Sequence, residues 1–372
     1  MEFTVSKADL VQELSLSQGV VEKKTTIPIL SNVLLEAAGD RVTLTATDIE
    51  LGIRCSCPAR VKKEGAGTVP ARRLLDYVRL LPEGDVNMKI LENHWASITC
   101  GRSRTRIAGM SRESFPELPQ MPEPIAEISV KTLASMIART SFAISLEESR
   151  FTLNGALLLM RPDGLTMVAT DGHRLAFVQA APADAAREGQ QFRALVPKKA
   201  MAELVKLSEG AGPDAKLVFA GDDNHLFFQL GHRLLITRKL TGNFPDYERV
   251  LPKDHTLTAT LQRDEIRSAI ERVAQFADER SRAIRVQFTN GEVRIFSSSV
   301  ETGESEESVI SEYQGPDLEI GFNAQYLLDF LRCIPQDHVA FELKDQKSAG
   351  ELRPSGDGVA DQYRYVVMPM RI

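Results

Sequence analysis

Two stretches of the chain, "TATDIELG" (Thr45–Gly52) and "ATDGHRLA" (Ala169–Ala176), carry the same Thr-Asp pair 123 residues apart. In the second, Asp171, His173 and Arg174 fall within four residues. That grouping suits an acid–base site, since imidazole titrates near neutral pH and a carboxylate can orient it. The first stretch has the same Thr47-Asp48 pair with neither histidine nor arginine behind it. The shared pair therefore reads as architecture, a strand end in a repeated fold. Gly172, His173, Arg174 and Leu175 are what distinguish the second copy.

The repeat extends outward from these corners. Three segments have apolar residues at three- and four-residue steps and predict amphipathic helices: Ser6–Val21, Ser129–Ile144 and Leu261–Phe276. Ser6 and Ser129 suit their N-caps. Each is followed by a strand pair with a turn signal: "NVLLEAAGDRVTLTATD", "GALLLMRPDGLTMVATD" and "IRVQFTNGEVRIFSSS". Second helices follow in "PARRLLDYVRLL", "PKKAMAELVKLS" and "NAQYLLDFLRCI", and then further alternating strands. Pro70 recurs as Pro197, 127 residues on, and Asn323 follows after another 126. The coincident offsets favour one unit used three times over three unrelated α+β domains. The proline-rich stretches "FPELPQMPEPIAE" and "FPDYERVLPKDH" mark the junctions, giving repeats at 1–122, 123–251 and 252–372. Two helices per unit cover one sheet face, so a row of three sheets with free edges at both ends is expected. Head-to-tail pairing with a second chain would close such a row into a ring.

Composition sets wider bounds. At 372 residues the chain is too long for one ordinary core, and its 43% apolar and 26% charged residues suit a soluble globular protein. Cys55, Cys57, Cys100 and Cys333 have no zinc-knuckle or Cys-x-x-Cys spacing, so reduced thiols of a cytoplasmic protein are expected. "MEFTVSKADL" lacks the features of a secretory signal, and no apolar run is long enough to span a membrane.

The net charge of −6 is unevenly placed. Residues 70–81, 129–145 and 197–207 each carry a net +2, and the other helical segments balance to zero. The helical segments therefore total +6 and the rest of the chain −12. Helices gathered on one side would make a basic surface able to hold a phosphate backbone without reading sequence. Lysine and arginine are also good helix formers on solvated faces, and charge alone leaves both readings open.

"TVPARRLLDYVRLLPEG", "GRSRTRIAGM", "LNGALL", "VATDGHRLA", "NFPDYERVLP" and the terminal "YRYVVMPMRI" together resemble the bacterial sliding clamp family, the beta subunits of DNA polymerase III. The likeness reaches all three repeats. It implies an α+β chain of three DNA-clamp domains, each with two helices on antiparallel sheet. Two chains would close head to tail into a homodimeric ring, with twelve helices lining a hole for duplex DNA and six sheets outside. Such a ring has no catalysis, cofactor or metal, and raises the local concentration of a tethered polymerase. A clamp loader opens and closes it.

The resemblance also implies site residues. The groove for short hydrophobic peptides of the replicative polymerase, the loader and repair polymerases maps to Leu153, Thr170, Gly172, His173, Arg174, Leu175, Pro245, Arg249 and Val250. The tail adds Val366, Val367, Met368, Pro369, Met370, Arg371 and Ile372. Methionines suit a site with several partners, and Arg174, Arg249 and Arg371 are donors for peptide carbonyls or acids. A C-terminal edge strand is the competing reading of the tail, and its proline suits an edge or strand end. DNA contacts map to Lys24, Arg73, Lys198, Lys199, Arg280 and Arg282, and the dimer contact to Thr105, Ile107, Gln275 and Phe276. The acidic Glu147 and Glu148 fall in a loop where relatives are neutral.

Two rivals remain. A hydrolase or nuclease using Asp171 and His173 would need further carboxylates or a nucleophile, and the chain has no P-loop, Gly-x-Ser-x-Gly or Rossmann glycine pattern. A clamp-like peptide scaffold that does not encircle DNA draws its support from the acidic loop.

Overall fold

The computed structural model describes residues 1–22, 25–180, 191–356 and 362–371. They form two compact units, Met1–Lys131 with Lys199–Lys239, and Thr132–Lys198 with Leu240–Ile372. Six α-helices are present among the described residues: α1 (Lys7–Ser17), α2 (Ala71–Leu80), α3 (Val130–Thr140), α4 (Lys198–Ser208), α5 (Arg263–Val273) and α6 (Ala324–Cys333). They recur in pairs, as the repeat requires. The first of each pair is shorter than periodicity suggests. α3 and α5 tighten into 3-10 turns at Ser141–Ala143 and Ala274–Phe276, and α1 ends at Ser17. Apolar residues continue past these ends because the turns also pack inward, so periodicity overshoots.

Local chemistry explains the helices. The Ser6 side chain accepts from the Asp9 N–H, satisfying a donor that the first turn of α1 leaves free. α2 buries Ala71, Leu74, Leu75 and Val78, a three- and four-residue stripe, and these join Phe3, Leu10, Leu14, Val33 and Ile98 in one core. Each such leucine contributes roughly 1.5–3 kcal/mol by leaving water. Cys55 and Cys57, two apart on one strand, point into the same core. The hairpin turns form where the sequence places them, with Gly39, Gly164 and Gly291 at φ of 58°, 138° and 85°.

The sheets depart from the expected row of three. Among the described residues there are four, with five, eight, eight and four strands, because strands of neighbouring repeats bond across the junctions. Leu51–Pro58 pairs antiparallel with Arg233–Arg238, and Arg174–Gln179 with Gln362–Val367. The two eight-stranded sheets match strand for strand. One rung of the first reads Ala220, Phe227, Ile236, Gly52, Thr47. The same rung of the second reads Glu342, Glu351, Val366, Leu175, Thr170. A five-stranded sheet in the first unit ends at the edge strand Ser103–Ala108, and a four-stranded sheet in the second ends at Gly303–Ile310.

Candidate functional site

The two Thr-Asp corners have the same geometry. Thr47 Oγ1 donates to the Leu51 carbonyl at 2.9 Å, and Asp48 Oδ1 accepts from the N–H groups of Glu50 and Leu51. Thr170 Oγ1 likewise donates to the Arg174 carbonyl at 2.6 Å, and Asp171 Oδ1 accepts from His173 and Arg174. The corner turns one strand into the next and uses both polar side chains to do so. Asp171 therefore holds backbone and the Arg174 side chain and does not orient the His173 ring. The acid–base reading loses its carboxylate.

Around the second corner the fold gathers most of the groove residues. Leu175 and Val366 face each other across adjacent strands and share a cluster with Phe244, Tyr247 and Leu251, on which Leu153 packs. Phe177 and Tyr247 stack at 5.9 Å beneath it. Val250 and Met368 stay exposed, at 42% and 46%, and Gly172, His173, Pro245, Arg249 and Arg371 are exposed as well. Pro369 and Met370 are half-buried, and Thr170 is buried. A buried apolar floor with exposed apolar side chains at its rim is the arrangement that accepts a partner's hydrophobic anchors. Ile372 lies outside the described residues.

Two groove assignments and the competing reading of the tail change. Val367 neighbours Val366 on one strand, so the pleat turns it to the opposite face, where it is fully buried. The strand Gln362–Val367 is central, paired on both sides, and Pro369 lies beyond its end. The tail is therefore no edge strand. Beyond it, the Met368 N–H donates to the His173 carbonyl and that of Met370 to Gly321. Arg174 is turned inward. It donates from Nε to Asp171 at 3.0 Å, and through its two terminal nitrogens to Asp329 at 2.6 Å, the Phe142 carbonyl at 2.6 Å and the Tyr365 hydroxyl at 3.4 Å. Its guanidinium also lies 4.3 Å from the Tyr326 ring centroid. The side chain is 10% exposed. It braces the groove from behind, with four of its five N–H donors engaged inside the chain.

Sequence reading missed Arg150 and Phe151. Arg150 donates to the Asp171 carbonyl at 2.9 Å and pairs with Glu147 at 2.9 Å, so part of the acidic loop is neutralised internally. Phe151 is 59% exposed, next to Gly242 at the start of the segment that supplies Pro245 and Val250. Its position two residues before "LNGALL" was the available signal.

The DNA candidates differ in freedom. Arg73, Arg280 and Arg282 are exposed, and their side chains form no hydrogen bond or ion pair among the described residues. Lys199 is held by Asp48 and by the Val20 carbonyl. Lys198 is half-buried, and burial together with the nearby Arg174 charge lowers its pKa. Lys24 lies outside the described residues.

The dimer candidates fall at the two sheet edges. Thr105 and Ile107 are on the edge strand Ser103–Ala108, with Ile107 turned into its own core at 5% exposure. Arg104 and Arg106 point outward from that strand. Phe276 is half-buried, its carbonyl accepting from Thr302 Oγ1 and its ring 4.0 Å from where a Gly303 Cβ would lie. It thus sits at the start of the other edge strand, whose outward residues include Glu304 and Glu306. Gln275 beside it is exposed. No helix among the described residues is long and apolar enough to cross a membrane.

Comparison with known proteins agrees along the whole chain. Family models of the DNA polymerase III beta subunit match residues 1–119 (N-terminal domain), 127–246 (central domain) and 248–371 (C-terminal domain). The beta sliding clamp of Pseudomonas aeruginosa is 37% identical over 380 residues, covering all of both chains. A crystal structure of the sliding clamp from that organism bound to griselimycin has a TM-score of 0.93 at 35% identity, again over all of both chains. The Bartonella birtlesii clamp bound to griselimycin has a TM-score of 0.93 at 33% identity, also over all of both chains. The chain belongs to the DNA polymerase III beta subunit family, the beta sliding clamps.

Proposed function

We propose that the chain is a processivity clamp, a homodimeric ring that encircles duplex DNA and tethers the replicative polymerase without catalysis of its own. Its three clamp domains span residues 1–122, 123–251 and 252–372. The observation that carries the ring is the pair of sheet edges. The strand Ser103–Ala108 presents Arg104 and Arg106, and the strand Gly303–Ile310 presents Glu304 and Glu306. Opposite charge on two unpaired edges favours strand addition between two copies and disfavours pairing of like edges. Thr105, Gln275 and Phe276 lie along those edges and extend the contact, with Ile107 supporting it from its own core. Two chains bring eight sheets, and pairing both edges fuses four of them into two, leaving the six of a closed ring.

DNA contacts fall to Arg73, Arg280 and Arg282 first, as the cations free to meet phosphate, and then to Lys24, Lys198 and Lys199. The groove of Leu153, Thr170, Leu175, Pro245, Val250, Val366 and Met368 takes short hydrophobic peptides of the polymerase catalytic subunit, the clamp loader and repair polymerases. Two relatives bind griselimycin, and in this chain we assign it to this groove. Arg249 and Arg371 supply polar contacts at its rim. The ring works in the cytoplasm.

The test is a charge swap. Light scattering of the wild type gives twice the chain mass of 41.2 kDa. Arg104→Glu with Arg106→Glu yields monomer, and adding Glu304→Arg with Glu306→Arg restores the dimer. A monomeric wild type, or a dimer indifferent to the first pair of changes, contradicts the reading.

A further inference from the structure

The equivalence of the two eight-stranded sheets extends to the groove itself. Sheet register and the repeated Phe-Pro stretch pair each groove residue of the second copy with one in the first. Leu153 corresponds to Leu30, Thr170 to Thr47, Leu175 to Gly52 and Val366 to Ile236. "FPDYERV" aligns on "FPELPQM", which sets Pro116 against Pro245 and Met121 against Val250. Even the rim is repeated. The Arg238 N–H donates to the Glu50 carbonyl as the Met368 N–H donates to that of His173.

The seat of the Leu175 side chain is nevertheless occupied in the first copy. Gly52 leaves a gap where the second copy has Leu175, and the Leu118 side chain fills it. A Cβ placed on Gly52 would lie 3.0 Å from both Leu118 methyl carbons. Leu118 and Met121 together pack on Ala220, Phe227 and Ile236. The rim is closed by Arg238, whose side chain donates to Glu50 at 3.1 Å.

Both linkers bury apolar residues, Phe244, Tyr247 and Leu251 in the second and Phe115 in the first, and the sheet beneath explains why they part at Met121 and Val250. Ala220, Phe227 and Leu234 offer Met121 a dry seat. Their counterparts are Glu342, Glu351 and Arg364. Glu351 is fully buried and accepts from Arg353 at 2.6 Å and twice from Arg364 at 2.6 Å. Arg364 then holds the second linker by donating to the Pro252 carbonyl at 2.7 Å. A polar seat at this rung leaves Val250 exposed at the rim, whereas an apolar one holds Met121 down in its own groove.

We infer that the first repeat junction is a second copy of the peptide groove, occupied by the chain's own linker, with Leu118 and Met121 as resident anchors. Each chain thus offers one partner site where its repeats would give two. The ligand class of the emptied site is a short peptide with hydrophobic anchors. The inference rests on the second copy being a peptide groove.

Griselimycin titrated calorimetrically into the full dimer tests it. The wild type takes up one equivalent per chain. Leu118→Ala with Met121→Ala raises this to two, and adding Val250→Asp, which blocks the second copy, returns it to one. A double variant that still takes up only one equivalent, lost on adding Val250→Asp, overturns the inference and leaves the parent reading standing. A wild type that binds nothing contradicts the parent reading, and the inference that rests on it falls with it, whether or not the double variant binds. Should the double variant fail to fold, Leu118→Ala alone is titrated with the same readings.

Discussion

Ile49 and Gly172 occupy the same position of two equivalent corners, with φ of 82° and 89°. The fold demands a left-handed residue after each Thr-Asp pair, because the backbone must reverse there while the aspartate caps two N–H groups. Glycine meets that demand without strain, and a β-branched residue does not. The left-handed conformation costs an L-residue roughly 1–2 kcal/mol, partly offset by the entropy glycine loses on folding. The Ile49 side chain is 53% exposed, so little burial is lost with it. Ile49→Gly is therefore expected to stabilise the protein by about 0.5–1 kcal/mol, read from the denaturant midpoint. A loss of stability would contradict backbone strain at Ile49 as the larger effect.

Arg174 is expected to be a stability residue first. Arg174→Ala leaves the carboxylates of Asp171 and Asp329 in a largely buried setting without their cation. Removal of one partner from such a pair costs about 3–5 kcal/mol. Arg174→Lys does not recover it, because an ammonium cannot hold two carboxylates, a carbonyl and a stacked ring at once. Thermal unfolding of the two variants measures this, and a small cost to both would contradict the inward role.

A buried ion pair ties two repeats within the first unit. Glu13 accepts from Arg233 at 3.0 Å and 2.7 Å and meets His232 at 3.3 Å. Burial pushes the Glu13 carboxyl up, but Arg233 and His232 outweigh it and hold the pKa below its ordinary 4.5. A depressed folded pKa gives stability that is present above the unfolded value and lost as pH falls through the folded one. Stability should drop below about pH 4.5 in the wild type. Glu13→Gln should start less stable at pH 7 and fall less steeply over that acid range. Equal slopes in the two proteins would remove Glu13 from the acid response.

Truncating the tail distinguishes the proposed groove from the proposed ring joint. Deleting Met368 to Ile372 removes the exposed rim and the bond to Gly321 but spares the central strand Gln362–Val367. Polymerase stimulation should vanish while light scattering still reports a dimer. A monomeric truncation would place the tail in the joint instead.

Much of this was legible in the sequence because it is local. The repeat, the helix pairs, the three glycine turns and the Thr-Asp corner all depend on residues a few positions apart. What escaped depends on distant partners. Arg174 reads as a groove donor until Asp329, 155 residues on, and Tyr365, 191 on, take its nitrogens. Lys199 reads as a free cation until Asp48, 151 residues away, claims it. The count of sheets failed for the same reason, since no periodicity within one repeat shows that its edge bonds to the next. Ile107 illustrates a finer limit. Alternation gives two faces, and which one meets the core is decided by the strand's neighbours.

The central claim is tethering by topology, and retention on DNA tests it most directly. The clamp is loaded onto nicked circular DNA by a clamp loader and ATP, then passed through a sizing column in salt high enough to screen phosphate contacts. The account predicts that the protein stays with the circle and is lost once the DNA is cut to a linear form. Equal retention on circular and linear DNA would contradict it.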